Sequence, residues 1–253
     1  MRLDGIAAIV TGGASGLGAA TATLLAQKGA KVTLFDMNEA LAKETAASIG
    51  GHYEVVNVAD EASVVKGLDG AEAKHGVAQI LVNCAGVAPA EKTVSRDGNP
   101  HNLANFRRAI DVNLVGTFIV ISNFAARASK AEPVGEERGV IINTASVAAF
   151  DGQIGQAAYS ATKGGVVGMT LPIARDLAPL GIRVVTIAPG LFLTPMMKSL
   201  PQPAQDALGK MTPFPSRLGD PSEYALLVES IVANPYLNGE TIRLDGAVRL
   251  PPK

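Results

Sequence analysis

Seven apolar runs of strand length recur along the chain, at residues 6–10, 31–35, 52–57, 79–83, 139–144, 182–188 and 241–244. Each is separated from the next by a longer stretch of helical character, such as the Ala- and Leu-rich segment ending at Gln27 and the one that follows Gln156. Strand and helix in alternation predict repeated βαβ units. The expected fold class is therefore α/β, one domain over residues 1–253 built on a doubly wound parallel sheet. Ligands of such sheets sit beyond the carboxyl ends of the strands, and Asp36, Asn57, Asn83, Ser146 and Pro189 all fall at such ends.

Three segments depart from this rhythm. Residues 89–102 and 129–138 are polar and longer than simple connections need, and the first follows a strand end, where a long loop can shape access to a site. Residues 191–216 are apolar yet broken by several prolines. They read poorly as a regular buried helix and better as a substrate lid, with flexible methionines and aromatics over an apolar ligand; packing against the sheet is the competing use.

Composition narrows the function. A chain of 253 residues, 47% hydrophobic, is large enough for one substantial core. A net charge of -1 argues against a nucleic-acid footprint, and Arg107 and Arg108 read as solvated helix positions. No apolar run reaches the eighteen or so residues of a membrane span. The first strand begins so near Met1 that no leader is expected. The single cysteine excludes an intramolecular disulfide and fits a reducing, cytoplasmic setting. Cys84 reads as a small packed residue rather than a nucleophile. His52, His75 and His101 lack ligand spacing, so no metal is expected.

The chemistry is concentrated in two places. The first strand leads into Thr11-Gly-Gly-Ala-Ser-Gly-Leu-Gly18 and then a helix. Gly12 permits the tight turn, Gly16 lets backbone approach a pyrophosphate and Gly18 allows close packing, at a helix N-terminus that offers free N–H groups; Ser15 and Leu17 complete the expected cofactor contacts. The fold is thus Rossmann-like. Asp36 closes the second strand, where a carboxylate can accept from an adenosine ribose and would repel a 2'-phosphate. Ser15, Met37 and Asn38 bring no compensating positive charge, so NAD is expected over NADP.

Thirteen residues beyond Ser146 comes Tyr159-Ser-Ala-Thr-Lys163. On a helix, residues i and i+4 share a face, so the Lys163 ammonium is expected to lower the Tyr159 phenol from its usual pKa of about 10 toward the working range. Ser146 would hydrogen-bond the oxygen that Tyr159 protonates or deprotonates.

With these segments together, the chain resembles the short-chain dehydrogenase/reductase family over essentially its whole length. The family's Thr-Gly-x-x-x-Gly-x-Gly is matched by Thr11, Gly12, Gly16 and Gly18, and its Asn-Asn-Ala-Gly by Asn83-Cys84-Ala85-Gly86, with Cys84 as the departure. The resemblance implies that Asp60 contacts the adenine and that Pro189, Gly190 and Thr194 meet the nicotinamide amide. It also implies that Asn113 joins Ser146, Tyr159 and Lys163 as the structural member of a catalytic tetrad. Lys163 would in addition bind the nicotinamide ribose, and Asn113 a water. Residues 139–150, 169–179, 213–221 and 237–246 are similar to the type II 3-hydroxyacyl-CoA dehydrogenases. This implies reversible NAD-dependent oxidation of 3-hydroxyacyl-CoA to 3-oxoacyl-CoA. It also implies a homotetramer built through the helices that carry Asn113 and Tyr159 and through the carboxyl-terminal strand.

On that basis Lys92 or Arg96 would either meet a CoA phosphate or solvate a surface. Gln153 and Gln156 would either donate to a substrate carbonyl or satisfy nearby backbone. A 3-oxoacyl-carrier-protein reductase, which typically uses NADPH, a general alcohol or steroid dehydrogenase, and an NAD-binding protein without chemistry remain the alternatives.

Overall fold

Successive side chains of a strand point to opposite faces of its sheet, so an unbroken apolar run serves a strand covered on both sides. The computed structural model describes residues 1–252, the side chain of Met196 excepted. In it the seven runs become β1 (Ala7–Thr11), β2 (Lys31–Asp36), β3 (His52–Val55), β4 (Ile80–Asn83), β5 (Gly139–Thr144), β6 (Ile182–Pro189) and β7 (Thr241–Leu244). They form one parallel sheet in the order β3-β2-β1-β4-β5-β6-β7. The order reverses between β1 and β4, which opens a crevice beyond their carboxyl ends. The third strand stops short of the expected Asn57, whose side chain instead accepts from the Ala59 N–H at 3.1 Å and shapes a turn.

The helices are α1 (Gly16–Gln27), α2 (Glu39–Ser48), α3 (Glu61–His75), α4 (Leu103–Ile110), α5 (Gly116–Ala128), α6 (Ala157–Leu177), α7 (Pro195–Lys198), α8 (Gln202–Lys210) and α9 (Pro221–Ala233). Ala8, Val10, Val82, Ile142 and Ile187 pack one sheet face against Leu25 of α1 and Val228 and Ile231 of α9. Ile9, Leu81, Ile141 and Val184 pack the other against Leu68 of α3, Ile121 and Phe124 of α5 and Ile173 of α6. Each Val, Leu, Ile or Phe among them contributes roughly 1.5–3 kcal/mol on burial.

Two expectations change. Residues 191–216 contain the short helices α7 and α8, each with proline in its first turn, where the missing N–H would go unused anyway. Pro195, Pro201 and Pro203 therefore lie at helix starts, while Pro213 and Pro215 follow α8 in irregular chain; the Met196 side chain, part of the expected lid, lies outside the described residues. Second, α4 and α5 run together through a π-type turn at Asp111–Val115, and the joined helix, Leu103–Ala128, is long and apolar enough to cross a membrane, its most apolar 18-residue stretch having a mean hydropathy of 1.6. Charged residues interrupt its apolar run in the sequence, but its length now counts as one helix. Val120, Ile121, Phe124, Ala125 and Ala128 are buried, mostly against the sheet, which accounts for that hydropathy.

The entry to α9 is set locally. Asp220 accepts from the Ser222 N–H at 2.8 Å, and Glu223 reaches back to the Asp220 N–H at 2.7 Å while pairing with Arg217. Arg217 and that N–H hold Glu223 down at about 2, and hydrogen bonds from Ser222 lower Asp220. Because both carboxyls are depressed in the folded state, the box contributes fully above their ordinary values of 4.5 and 3.8 and fades as pH falls toward about 2. Asp220→Ala is expected to cost ~1 kcal/mol at neutral pH. Urea midpoints should show the gap from wild type narrowing in acid; a gap independent of pH would exclude the ionised cap as its source.

Candidate active site

The glycine turn between β1 and α1 forms the floor of a cleft of about 890 Å³. Gly12 has φ +60°, and a Cβ there would lie 2.8 Å from the Ala85 backbone nitrogen; a Cβ on Gly18 would overlap the Gly12 carbonyl oxygen. Only glycine allows β1, β4 and α1 to meet this closely. Ser15 starts α1 without using its hydroxyl as a cap, and no acidic side chain occupies the first turn. The N–H groups and positive dipole end therefore face the cleft, an arrangement suited to a pyrophosphate.

Gly12, Ser15, Gly16, Leu17, Gly18 and Asp36 line this cleft as expected. The Asp36 carboxylate accepts from the Ala14 N–H at 3.1 Å and the Asn38 N–H at 3.0 Å, which ties the end of β2 to the glycine turn. Asp60 is not on the wall. It is exposed and caps α3 through the Ala62 N–H at 3.0 Å, while Asn57, Val58 and Ala59 line the cleft in its place. The family resemblance pointed to Asp60; position relative to the strand end points to Asn57 and Val58. The donor set suits a dinucleotide, and the described residues contain no cluster able to hold a metal.

Arg107 and Arg108 are exposed helix positions, as expected. They lie on α4 at the cleft wall, with Asp111 and Val112 of the π-type turn beyond them. The usable signal is their position one to two turns ahead of Asn113 on the same helix. Lys92 and Arg96 instead project from an exposed loop and line none of the pockets described here.

A smaller pocket of about 220 Å³ continues from the cleft, sharing Leu17, Cys84, Gly86, Val87 and Thr194 with it. Ser146, Tyr159, Lys163, Pro189 and Gly190 all line this second pocket. Ser146 sits just beyond β5, its Oγ accepting from the Ala148 N–H at 3.1 Å. Tyr159 and Lys163 occupy successive turns of α6, the Lys163 Nζ lying 5.8 Å from the phenol centroid. Asn113, fully buried in the π-type turn, is spoken for: Oδ1 accepts from the Val87 N–H at 2.8 Å, and Nδ2 donates to the Val87 carbonyl at 2.8 Å and to Thr162 Oγ1 at 3.1 Å. It binds the loop after β4 to α6. Neither glutamine reaches the pocket. Gln153 donates to the Pro251 carbonyl at 3.1 Å, and Gln156 accepts the Gln153 N–H at 3.0 Å, so the backbone use holds for both.

The electrostatics overturn one expectation. Burial pushes the Tyr159 phenol up rather than down, with the Ser146 hydroxyl offsetting part of the shift. Any pull of the Lys163 ammonium toward the phenolate is outweighed by burial; Nζ lies 5.8 Å from the ring centroid and gives a hydrogen to the Thr144 carbonyl at 2.7 Å. Burial also lowers Lys163 itself, to about 8. Tyr159 is thus a neutral proton donor at neutral pH, and Lys163 is close to its own titration point.

Similarity to known proteins gives the family. Residues 6–205 match the short chain dehydrogenase family. The chain is 55% identical to human 3-hydroxyacyl-CoA dehydrogenase type-2 over 99% of its length and 97% of the relative, and 54% identical to the Drosophila melanogaster protein over 96% and 97%. It is 34% identical to a 3-oxoacyl-[acyl-carrier-protein] reductase of Thermotoga maritima over 98% and 99%. The crystal structure of a 3-hydroxyacyl-CoA dehydrogenase type-2 from Mycobacterium avium superposes with a TM-score of 0.94, at 42% identity and 98% coverage of both chains. The chain belongs to the short-chain dehydrogenase/reductase family and is an oxidoreductase.

Proposed function

We propose that this enzyme uses NAD to interconvert 3-hydroxyacyl-CoA and 3-oxoacyl-CoA reversibly. The observation that carries the proposal is the catalytic pocket of Ser146, Tyr159 and Lys163 opening into a cleft whose far wall holds Asp36. The substrate class follows the names of relatives at 54 to 55% identity, against 34% for the acyl-carrier-protein reductase. Asp36 also disfavours the 2'-phosphate of NADPH by like-charge repulsion.

In oxidation, Tyr159 Oη accepts the proton of the substrate hydroxyl while Ser146 Oγ donates to the oxygen as negative charge builds. NAD, when bound, supplies the hydride acceptor. Lys163 favours the phenolate by its charge, and Asn113 keeps the loop after β4 docked on α6. In reduction Tyr159 returns the proton. Because burial raises Tyr159, the acid form predominates at neutral pH and serves reduction, while oxidation needs the phenolate. The oxidation rate is expected to climb with pH up to about 10 and beyond, while the reduction rate stays level until the phenol titrates above its ordinary value of about 10. Parallel profiles in the two directions would overturn the assignment of this proton to Tyr159.

A cytoplasmic homotetramer is proposed with it. Val115, Phe118 and Leu171 are exposed apolar residues on the helices that carry Asn113 and Tyr159, which supports assembly through that face. The decisive assay is oxidation of NADH, beside NADPH, with acetoacetyl-CoA and with a steroid ketone. High efficiency with NADH and acetoacetyl-CoA is expected; turnover only with the steroid would move the substrate class elsewhere.

A further inference from the structure

Lys163 Nζ is held by the carbonyl of Thr144, the last residue of β5. What holds Thr144 comes from a distant part of the chain. Its Oγ1 lies 2.7 Å from the hydroxyl of Tyr224 on α9 and donates to Cys84 Sγ at 3.5 Å; Cys84 Sγ in turn faces the Tyr224 hydroxyl at 3.8 Å. These contacts close into a ring in one sense. The Thr144 hydroxyl donates to the Cys84 sulfur, the Cys84 thiol donates to the Tyr224 oxygen, and the Tyr224 hydroxyl donates to the Thr144 oxygen. Each group donates once and accepts once, so the ring is satisfied internally.

Tyr224 is fully buried, and burial keeps its phenol far above its usual range, so it stays protonated and available as the donor. Burial likewise raises the Cys84 thiol, which keeps its S–H. The ring joins the ends of β4 and β5 to α9, on the face of the sheet opposite α6.

We propose that Tyr224 is a positioning residue for Lys163, acting through the ring it forms with Thr144 and Cys84. The ring fixes the end of β5 and hence the carbonyl that accepts from the ammonium. The titratable groups facing Lys163 are Tyr159 on its own helix and Cys84 after β4, with Tyr224 of α9 behind Thr144; the neutral amide of Asn113 and Lys163 Nζ both lie close to Gly86. A carbonyl that accepts from the ammonium favours its charged form, so loosening it lowers the affinity of Lys163 for its proton and weakens its support of the Tyr159 phenolate. The catalytic consequence rests on the proton-transfer roles proposed above for Tyr159 and Lys163.

The test uses the full-length protein labelled with 13C at the lysine side chains, with the Lys163 signal assigned by its loss in Lys163→Met. Tyr224→Phe removes one oxygen and keeps the ring volume. Its Lys163 midpoint is expected to fall by about half a unit or more, and the acid limb of the oxidation profile should move to higher pH. Thr144→Val should lower the midpoint in the same way, and Thr144→Ser, which keeps the hydroxyl, should retain it. A Tyr224→Phe protein that loses thermal stability but keeps the wild-type midpoint would overturn the proposal, as would equal midpoints in the two Thr144 variants. The titration needs no turnover. A wild-type protein inactive toward every substrate tried would count against the proposed reaction, and the midpoints would still decide the ring.

Discussion

Tyr159→Phe is expected to lower turnover about a thousandfold in both directions, the scale of a positioned general acid or base, equivalent to ~4 kcal/mol of transition-state stabilisation. The substitution deletes one oxygen. The ring stays packed beneath Lys163, and Tyr159 is not part of the larger cleft wall, so NADH binding is expected to persist. Steady-state rates beside a fluorescence titration with NADH separate the two effects. Turnover within tenfold of wild type would remove Tyr159 from the proton transfer. Loss of NADH binding together with turnover would point to a cofactor role instead.

Asp36→Ala is expected to reduce kcat/KM for NADH by about 10- to 100-fold, the worth of losing hydrogen bonds to a charged acceptor. Efficiency with NADPH should fall much less or rise, since the same change removes a negative charge from the place a 2'-phosphate would occupy. The ratio of the two efficiencies is the quantity to measure, because Asp36 also anchors the Ala14 and Asn38 N–H groups and its loss loosens the glycine turn for either cofactor. A ratio that stays at the wild-type value would show that Asp36 does not discriminate between them.

These two positions differ in how much of their role can be read along the chain. Asp36 is legible because its place is local: it ends an apolar strand a fixed distance beyond a glycine turn, and the parallel fold brings those two ends together. Asp60 is less legible for a related reason. Its residue type fits an adenine contact, but β3 ends at Val55, so the chain turns early and presents Asn57 and Val58 to the cleft while Asp60 caps α3. Arg107 and Arg108 look like ordinary solvated helix positions until α4 is laid along the cleft. The prolines of residues 191–216 signal a break in one context and a helix start in another, and neighbouring structure decides between them.

Local pattern by itself determined the strands, their parallel arrangement, the glycine turn, and the collection of Asp36, Ser146, Tyr159 and Lys163 at one edge of the sheet. All of these follow from periodicities and offsets within a few residues or from the rule that strand ends converge. Tertiary structure alone decided the charge states and the supports. Burial, which depends on what packs over a group from elsewhere in the chain, raises Tyr159 against the simple expectation from its i, i+4 spacing to Lys163, and lowers Lys163 as well. The hydroxyl that steadies Thr144 beneath Lys163 belongs to Tyr224, which only the packing of α9 across the sheet brings to the end of β5.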